Sequence, residues 1–206
     1  MAAGTPRTKA AQREATVARL VAVGRDRFAR AGYAQTATEE IVRRAGVTRG
    51  ALYHHFGSKE GLFAAVLVDV QRDVGRRVAA AAEREEDRWR QLRAGCRAFL
   101  RASLDPEVRR IALIDAPAVL GWEAWRSADA AASMPLLADV LAALAADGTI
   151  APPSVEALAH LLSGAMNEAA LWIAQADDTE RALADATATL DHLLDALPRP
   201  PAAATP

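Results

Sequence analysis

The sequence predicts an all-α fold, with an N-terminal three-helix unit that holds a helix-turn-helix and a C-terminal helical bundle. Three observations carry this. Alanine, leucine, arginine and glutamate, all good helix formers, are abundant, and β-branched runs are scarce. Apolar residues recur at helical spacing over long windows. Glycines, prolines and hydroxyl or carboxylate caps stand where those windows begin and end.

A first helix is predicted from about Gln12 to Arg30, with Val17, Leu20, Val21, Gly24 and Phe28 on one stripe and Gly32 ending it. Thr36-Ala37-Thr38-Glu39 has the spacing of a capping box and opens a short helix that runs through Ile41 and Val42 to Ala45, where Gly46 breaks it. Thr48 caps a third helix carrying Leu52, Tyr53 and Phe56. After Gly57, Ser58 caps a long helix from Lys59 to about Arg84, with Leu62, Phe63, Val66, Leu67 and Val70 along it. Another helix is predicted from Asp87 to Ser103, and Asp105-Pro106-Glu107 opens the next, with proline in the first turn and acids at the positive dipole end. Pro117, Gly121, Pro135 and Gly148 punctuate the stretch between there and Ser154. Two helices, Ser154–Ala176 and Thr179–Leu197, close the chain. Residues 198–206, with four prolines, are expected to be a disordered tail.

Charge is unevenly divided. Residues 1–60 hold 11 Lys and Arg against 5 Asp and Glu; the remainder holds 14 against 21. A basic head on an acidic body fits a head that meets a polyanion, and it also fits arginines that only solubilise helices. The single Cys96 excludes an intrachain disulfide and a multi-cysteine metal site. No uninterrupted apolar run approaches the ~18–20 residues that span a bilayer, and residues 1–10 lack the apolar core of a signal peptide. The expectation is a reduced, cytoplasmic protein without membrane association.

Two short helices around a Gly-containing turn, behind a supporting helix, make a helix-turn-helix. The second helix of such a unit lies in the DNA major groove, with its N-terminal residues aimed at base edges. The residues Gly32-Tyr33, Thr36 to Ile41, Ala45 to Phe56 and Ser58 to Phe63 together resemble the DNA-binding domain of the tetracycline-repressor (TetR) family. The resemblance covers about residues 12–68. Glycine at 61, where alanine is frequent in the family, is a mild departure. The expected domains are a flexible basic arm at 1–11, a DNA-binding domain at 12–68, a ligand-binding and dimerisation domain at 69–197, and the tail.

The motif residues have physical roles. Thr48 sits where a hydroxyl and free amides suit a phosphate. Arg49 and His55 are expected to face outward toward bases, arginine being the usual bidentate partner of guanine. Gly50 lets the backbone approach the groove. Tyr53 and Lys59 resemble the family's phosphate contacts; His54 and Thr36 complete the expected DNA set. Arg7, Lys9 and Arg13 can add contacts from the arm. Tyr53 also fits a core position, and Arg49 a solvated charge. His54-His55 has no third ligand near it in sequence, so no metal is expected.

For the body, the resemblance implies a ligand-binding and dimerisation domain. The apolar stripes of the last two helices fit a dimer seam, with Leu158, Leu162, Ala165 and Ala169 on one and Leu183, Ala186, Leu190 and Leu194 on the other. Candidate pocket residues are Trp89, Cys96, Phe99, Ile111, Trp122, Trp125, Met134 and Trp172, with Asp115, His160 and Asn167 as polar points; each also reads as ordinary core or surface. The expected partners are double-stranded DNA with a palindromic operator, a second copy of the chain, and a small, largely hydrophobic effector. No nucleophile elbow, P-loop, dinucleotide fingerprint or His-Glu-x-x-His motif occurs, so neither catalysis nor a cofactor is expected. A helical interaction protein that keeps the fold without binding DNA is the alternative.

Overall fold

The computed structural model describes residues 9–197. The expected tail and most of the expected arm, Arg7 included, lie outside this range. Among the described residues the chain is helical: α1 (Lys9–Gln35), α2 (Thr38–Ala45), α3 (Arg49–Phe56), α4 (Lys59–Ala82), α5 (Arg88–Ala102), α6 (Pro106–Val108), a π-helical turn (Arg109–Asp115), α7 (Ala116–Leu120), α8 (Trp122–Ala146), α9 (Val155–Gln175) and α10 (Thr179–Asp195).

Local chemistry sets most helix starts. The side chains of Thr48, Ser58, Asp87, Ser154 and Asp178 each accept a hydrogen bond from an amide in the first turn of the helix they precede. Thr36 is a correction. It is 1% exposed, and its hydroxyl donates to Gly32 O at 2.7 Å, so it does not cap α2, whose N-cap is Ala37. The reason is the backbone at Gly32. Its φ of +76° breaks helical geometry inside α1 and turns a carbonyl toward Thr36.

Pro135 is a second difference. Its place in the sequence suggests punctuation, yet α8 runs through it. A proline inside a helix, which loses a hydrogen bond and crowds the preceding turn with its ring, costs about 3 kcal/mol; the burial of Trp125, Leu137, Leu141 and Leu144 on the same helix offsets that. By length and composition α8 is also apolar enough to cross a membrane. Its apolarity is largely alanine, and Glu123, Arg126, Asp129 and Asp139 interrupt it.

The head, α1–α3, packs on the first half of α4 around Leu20, Phe28, Ile41, Leu52, Leu62 and Phe63, all fully buried. Phe28 and Tyr33 each bring their rings 5.0–5.8 Å from a neighbouring aromatic, with Phe63 edge-on to both. The second half of α4 enters the body, against α5 and α8, so α4 belongs to both parts. There it passes α8 closely: a Cβ on Gly75 would lie 3.0 Å from Ala132 O.

Two polar junctions join head to body. Arg25 of α1 bonds Asp69 of α4 (2.7 Å), Glu107 of α6 (2.6 and 2.8 Å) and Asp73 of α4. Its hydrogen bond to Glu107, opposed by burial and aided by Asp69, holds the guanidinium still more firmly protonated than usual. Asp115, at the end of the π-helical turn, accepts the Tyr33 amide at 2.7 Å and Arg110 Nε at 3.2 Å, just beyond the Gly32 break. Nearby, burial pushes the Asp105 carboxyl up, but bonds from Arg77 and from the Glu107 and Val108 amides together hold it below the usual carboxylate range.

Removing Arg25 would leave three acids clustered in a half-buried site. We predict that Arg25→Ala lowers unfolding free energy by about 1–3 kcal/mol, less than the ~3–5 kcal/mol of a fully buried broken pair. The check is the urea midpoint at neutral pH, expected to fall with an unchanged slope.

Candidate nucleic-acid interface and effector cavity

The turn between α2 and α3 is built from Gly46 in the left-handed region (φ +64°), with Val47 N–H returning to Val42 O at 3.0 Å. This closes α2 and sets α3 across it. On α3, Leu52 points into the core, while Thr48, Arg49, Gly50, Tyr53 and His54 lie on the exposed face. Thr48 accepts from Ala51 N–H at 3.2 Å, a cap that does not use its hydroxyl hydrogen, at the positive end of α3.

Gly50 is informative because no neighbour in the described residues demands it. It lies inside a helix, where glycine costs roughly 1 kcal/mol against alanine. A Cβ there would meet only Thr48 Oγ1, at 3.8 Å. The described residues thus give no packing reason for glycine at this position. Gly61 is the opposite case. A Cβ there would lie 2.0 Å from Phe56 O, so the α3–α4 corner is too tight for a side chain.

Arg49 is held by its own protein. It bonds Glu39 at 3.0 Å and Tyr53 Oη at 3.3 Å, both at the surface. Lys59 lies 4.2 Å over the Tyr33 ring, and burial lowers its pKa. His55 departs from expectation: it is half-buried rather than outward, its Nδ1 is buried without a partner among the described residues, and desolvation, with His54 and Arg13, lowers its pKa. The outward histidine is His54. Thr36, buried under the α1–α2 corner, cannot reach a phosphate with its side chain. Sequence reasoning missed Arg43 and Arg44, exposed in the last turn of α2, and the Glu39 contact to Arg49.

In the body a cavity of about 350 Å³ lies between α4, α5, α8 and α9. Val78, Leu92, Phe99, Met134, Leu137 and Met166 give it apolar walls. The charged Glu83, Arg88 and Asp139 are exposed at its mouth, and Ser133 and Ser163 line it deeper along α8 and α9. Of the expected pocket residues, Cys96, Phe99 and Met134 line it. The others do not. Trp89 borders a separate polar recess beside Asp147. Ile111 is fully buried core, and Trp125 is too, its Nε1 donating to Ala112 O in the π-helical turn at 2.6 Å. Asp115 serves the head–body junction. Trp122, His160 and Trp172 are exposed. Asn167 is buried behind the cavity wall, bonded to Asp129. Burial, reinforced by Asp191, pushes the Cys96 thiol up to about 12, so it has little thiolate to react with oxidants.

The expected seam divides as well. Leu162, Leu183, Leu190 and Leu194 turn into the protomer's own core, because α9 and α10 pack on α5 and on each other with those faces. Leu158, Ala169 and Ala186 are half-buried and Ala165 is exposed. The outward apolar residues are instead Leu161 (72% exposed), Trp172 (51%) and Leu193 (54%), one helix face around from the expected set.

Comparison with known proteins agrees with this geometry. Residues 20–66 match the family described as bacterial regulatory proteins, tetR family, and residues 89–197 match the tetracyclin repressor-like C-terminal domain. A TetR-family transcriptional regulator from Pectobacterium atrosepticum is 39% identical, with a TM-score of 0.83 over 95% of this chain and 100% of that one. An HTH-type transcriptional regulator of Mycobacterium bovis is 41% identical over 66 residues, 32% of this chain and 34% of its own. The HTH-type regulator TtgR of Pseudomonas putida is 37% identical over 81 residues, 39% of this chain and 38% of its own. These two likenesses thus span little more than a third of the curated relatives. The body match and the full-length structural likeness extend the assignment to the whole fold: the chain belongs to the TetR family of helix-turn-helix transcriptional regulators.

Proposed function

We propose that the protein is a homodimeric repressor that binds a palindromic operator and is released from it by a small effector in the α4–α5–α8–α9 cavity. The observation that carries the DNA part is the exposed face of α3. Thr48, Arg49, Gly50, Tyr53 and His54 combine phosphate donors, a base-reading cation and a gap in the side-chain surface where the backbone can approach. The basic excess of the first 60 residues supports the same reading, as do exposed Arg43 and Arg44. Since DNA is the target, the place of action is the cytoplasm.

Dimerisation is supported by the outward apolar face of α9 and α10. Trp172 and Leu193 border a groove of about 270 Å³ that Ala165, Ala169 and Ala186 help to line, and Leu161 is exposed on the same helix as Trp172. Ridges beside a shallow groove suit a second copy of the same pair of helices. Two α3 helices related by such a twofold axis would read a symmetric site.

Release is proposed as a shift between two states of the head relative to the body. An effector between α4 and α8 favours one position of α4, and α4 carries the head through Arg25. The shift is limited by the effector's differential affinity for the two states.

Selection from a randomised duplex library tests the DNA reading. Enrichment of a palindrome is expected; no enrichment at low salt, with the dimer intact, would refute it. On the selected duplex, Arg49→Ala is expected to cost about 1–3 kcal/mol and relax specificity at one position. Lys59→Ala is expected to weaken binding evenly across sequences and to lower the slope of log affinity against log salt by about 1. Equal specificity in the Arg49 variant would contradict its base-reading role. Glu39→Gln, which frees Arg49 and removes an acid from the DNA face, is expected to raise affinity several-fold in a gel-shift titration.

A further inference from the structure

Behind the inner wall of the cavity lies a set of polar groups that the apolar lining does not require. Asp129 is 1% exposed, in the middle of α8. Its Oδ2 accepts Arg126 Nη1 at 2.7 Å and Asn167 Nδ2 at 2.7 Å, and Ser133 Oγ donates to its main-chain O at 3.1 Å and lies 3.4 Å from Oδ1. Desolvation pushes this carboxyl above its ordinary range, and the bonds from Asn167, Arg126 and Ser133 oppose that. All of these neighbours are donors, the pattern a carboxylate needs. Arg126 uses its other terminal nitrogen on Ser163 Oγ at 3.0 Å. The cation and the anion therefore satisfy each other, and two serine hydroxyls form their frontage on the cavity.

The two hydroxyls are oriented oppositely by these partners. Ser133 spends its hydrogen on Asp129 and presents lone pairs. Ser163 accepts from Arg126, and its own hydrogen has no acceptor among the described residues. The wall thus offers one acceptor on α8 and one donor on α9, both in the lining of the cavity. A ligand hydroxyl that accepts from Ser163 and donates to Ser133 would satisfy both.

We propose that the effector is a small uncharged molecule with an apolar body and one hydroxyl, a phenol or alcohol, seated on Ser133 and Ser163. This rests on the reading of the cavity as the effector site. The same network disfavours charge at this wall. Asp129 and Arg126 are already paired with each other, and the other charged groups, Glu83, Arg88 and Asp139, stand at the mouth, so an ion seated on the two serines meets no unpaired counter-charge there, and its desolvation costs several kcal/mol. Size is set by the cavity, which is near the lower end of the ~300–1,000 Å³ usual for ligand pockets. One ring with a short alkyl chain fits that scale. Asn167 is a positioning residue: it holds the Asp129 carboxylate that anchors Arg126, the donor to Ser163.

The test uses four probes of one shape on the full-length protein, with binding read by calorimetry: 4-propylphenol, propylbenzene, 4-propylbenzoate and 4-propylbenzylamine. The phenol is expected to bind about ten-fold tighter than propylbenzene, the size of one or two net hydrogen bonds, and the two ions more weakly than either. Ser163→Ala and Ser133→Ala are each expected to bring the phenol down toward propylbenzene while leaving propylbenzene itself unchanged, which also shows that the variants are folded. Preference for an ion, or a phenol preference that survives both substitutions, overturns the proposal while the cavity reading stands. Ala79→Leu, which fills the wall, is expected to weaken all probes; if propylbenzene fails to bind, or binds Ala79→Leu equally well, the cavity reading falls and takes the proposal with it.

Discussion

Arg25 is the contact on which the relation between head and body depends. It leaves α1 in the middle of the DNA-binding unit and reaches two acids on α4 and one on α6. A guanidinium suits this position because its planar fork grips Glu107 with two nitrogens while the third reaches Asp69 and Asp73, a bidentate geometry that the point charge of a lysine cannot reproduce. The site is half-buried, so salt screens it less than it screens an exposed pair. The Asp115 bond to Tyr33 N–H adds a second tie a few residues along α1, and Gly32 between them supplies the backbone bend that presents this amide. With both ties made, the orientation of α3 is a consequence of where α4 and α6 sit in the body. That is the structural requirement for a ligand in the body to be felt at DNA, because a rigid joint transmits a shift and a loose one absorbs it.

The head was legible in the sequence because its signals are local. The caps Thr48 and Ser58, the left-handed glycines and the core spacing of Leu52, Leu62 and Phe63 all act within a few residues of themselves. Thr36 shows the limit even there. Thr-x-x-Glu has capping-box spacing, but the bend at Gly32 supplies a competing acceptor, and no pattern of residue types reveals it. His55 is similar: adjacent histidines look alike in a sequence, and only the rotation of α3 decides that His54 is the outward one.

The body was legible as helices but not as a site. A cavity is the space that four helices fail to fill, and the residues lining it have the same spacing as residues that pack. Cys96, Phe99 and Met134 line the cavity, and the tryptophans do not: Trp125 is core and satisfies a carbonyl of the π-helical turn, while Trp122 and Trp172 face outward. The seam shows the same limit by one helix face. Leucine stripes that read as an interface are the protomer's own core, and the exposed residues lie beside them. The Arg126–Asp129 pair is visible as an i,i+3 spacing, but its burial, its bond to Ser163 and hence its chemistry appear only once α8 is laid against α9.

The central claim is that the head is oriented by the body through Arg25. Its most direct test is the affinity of Glu107→Gln for the selected duplex. Glu107 lies on α6, in the body, and its side chain meets the head through Arg25. The account predicts a several-fold loss of affinity with an unchanged salt slope, because orientation is lost while no phosphate contact is removed. Wild-type affinity in that variant, with its fold intact, would contradict the account.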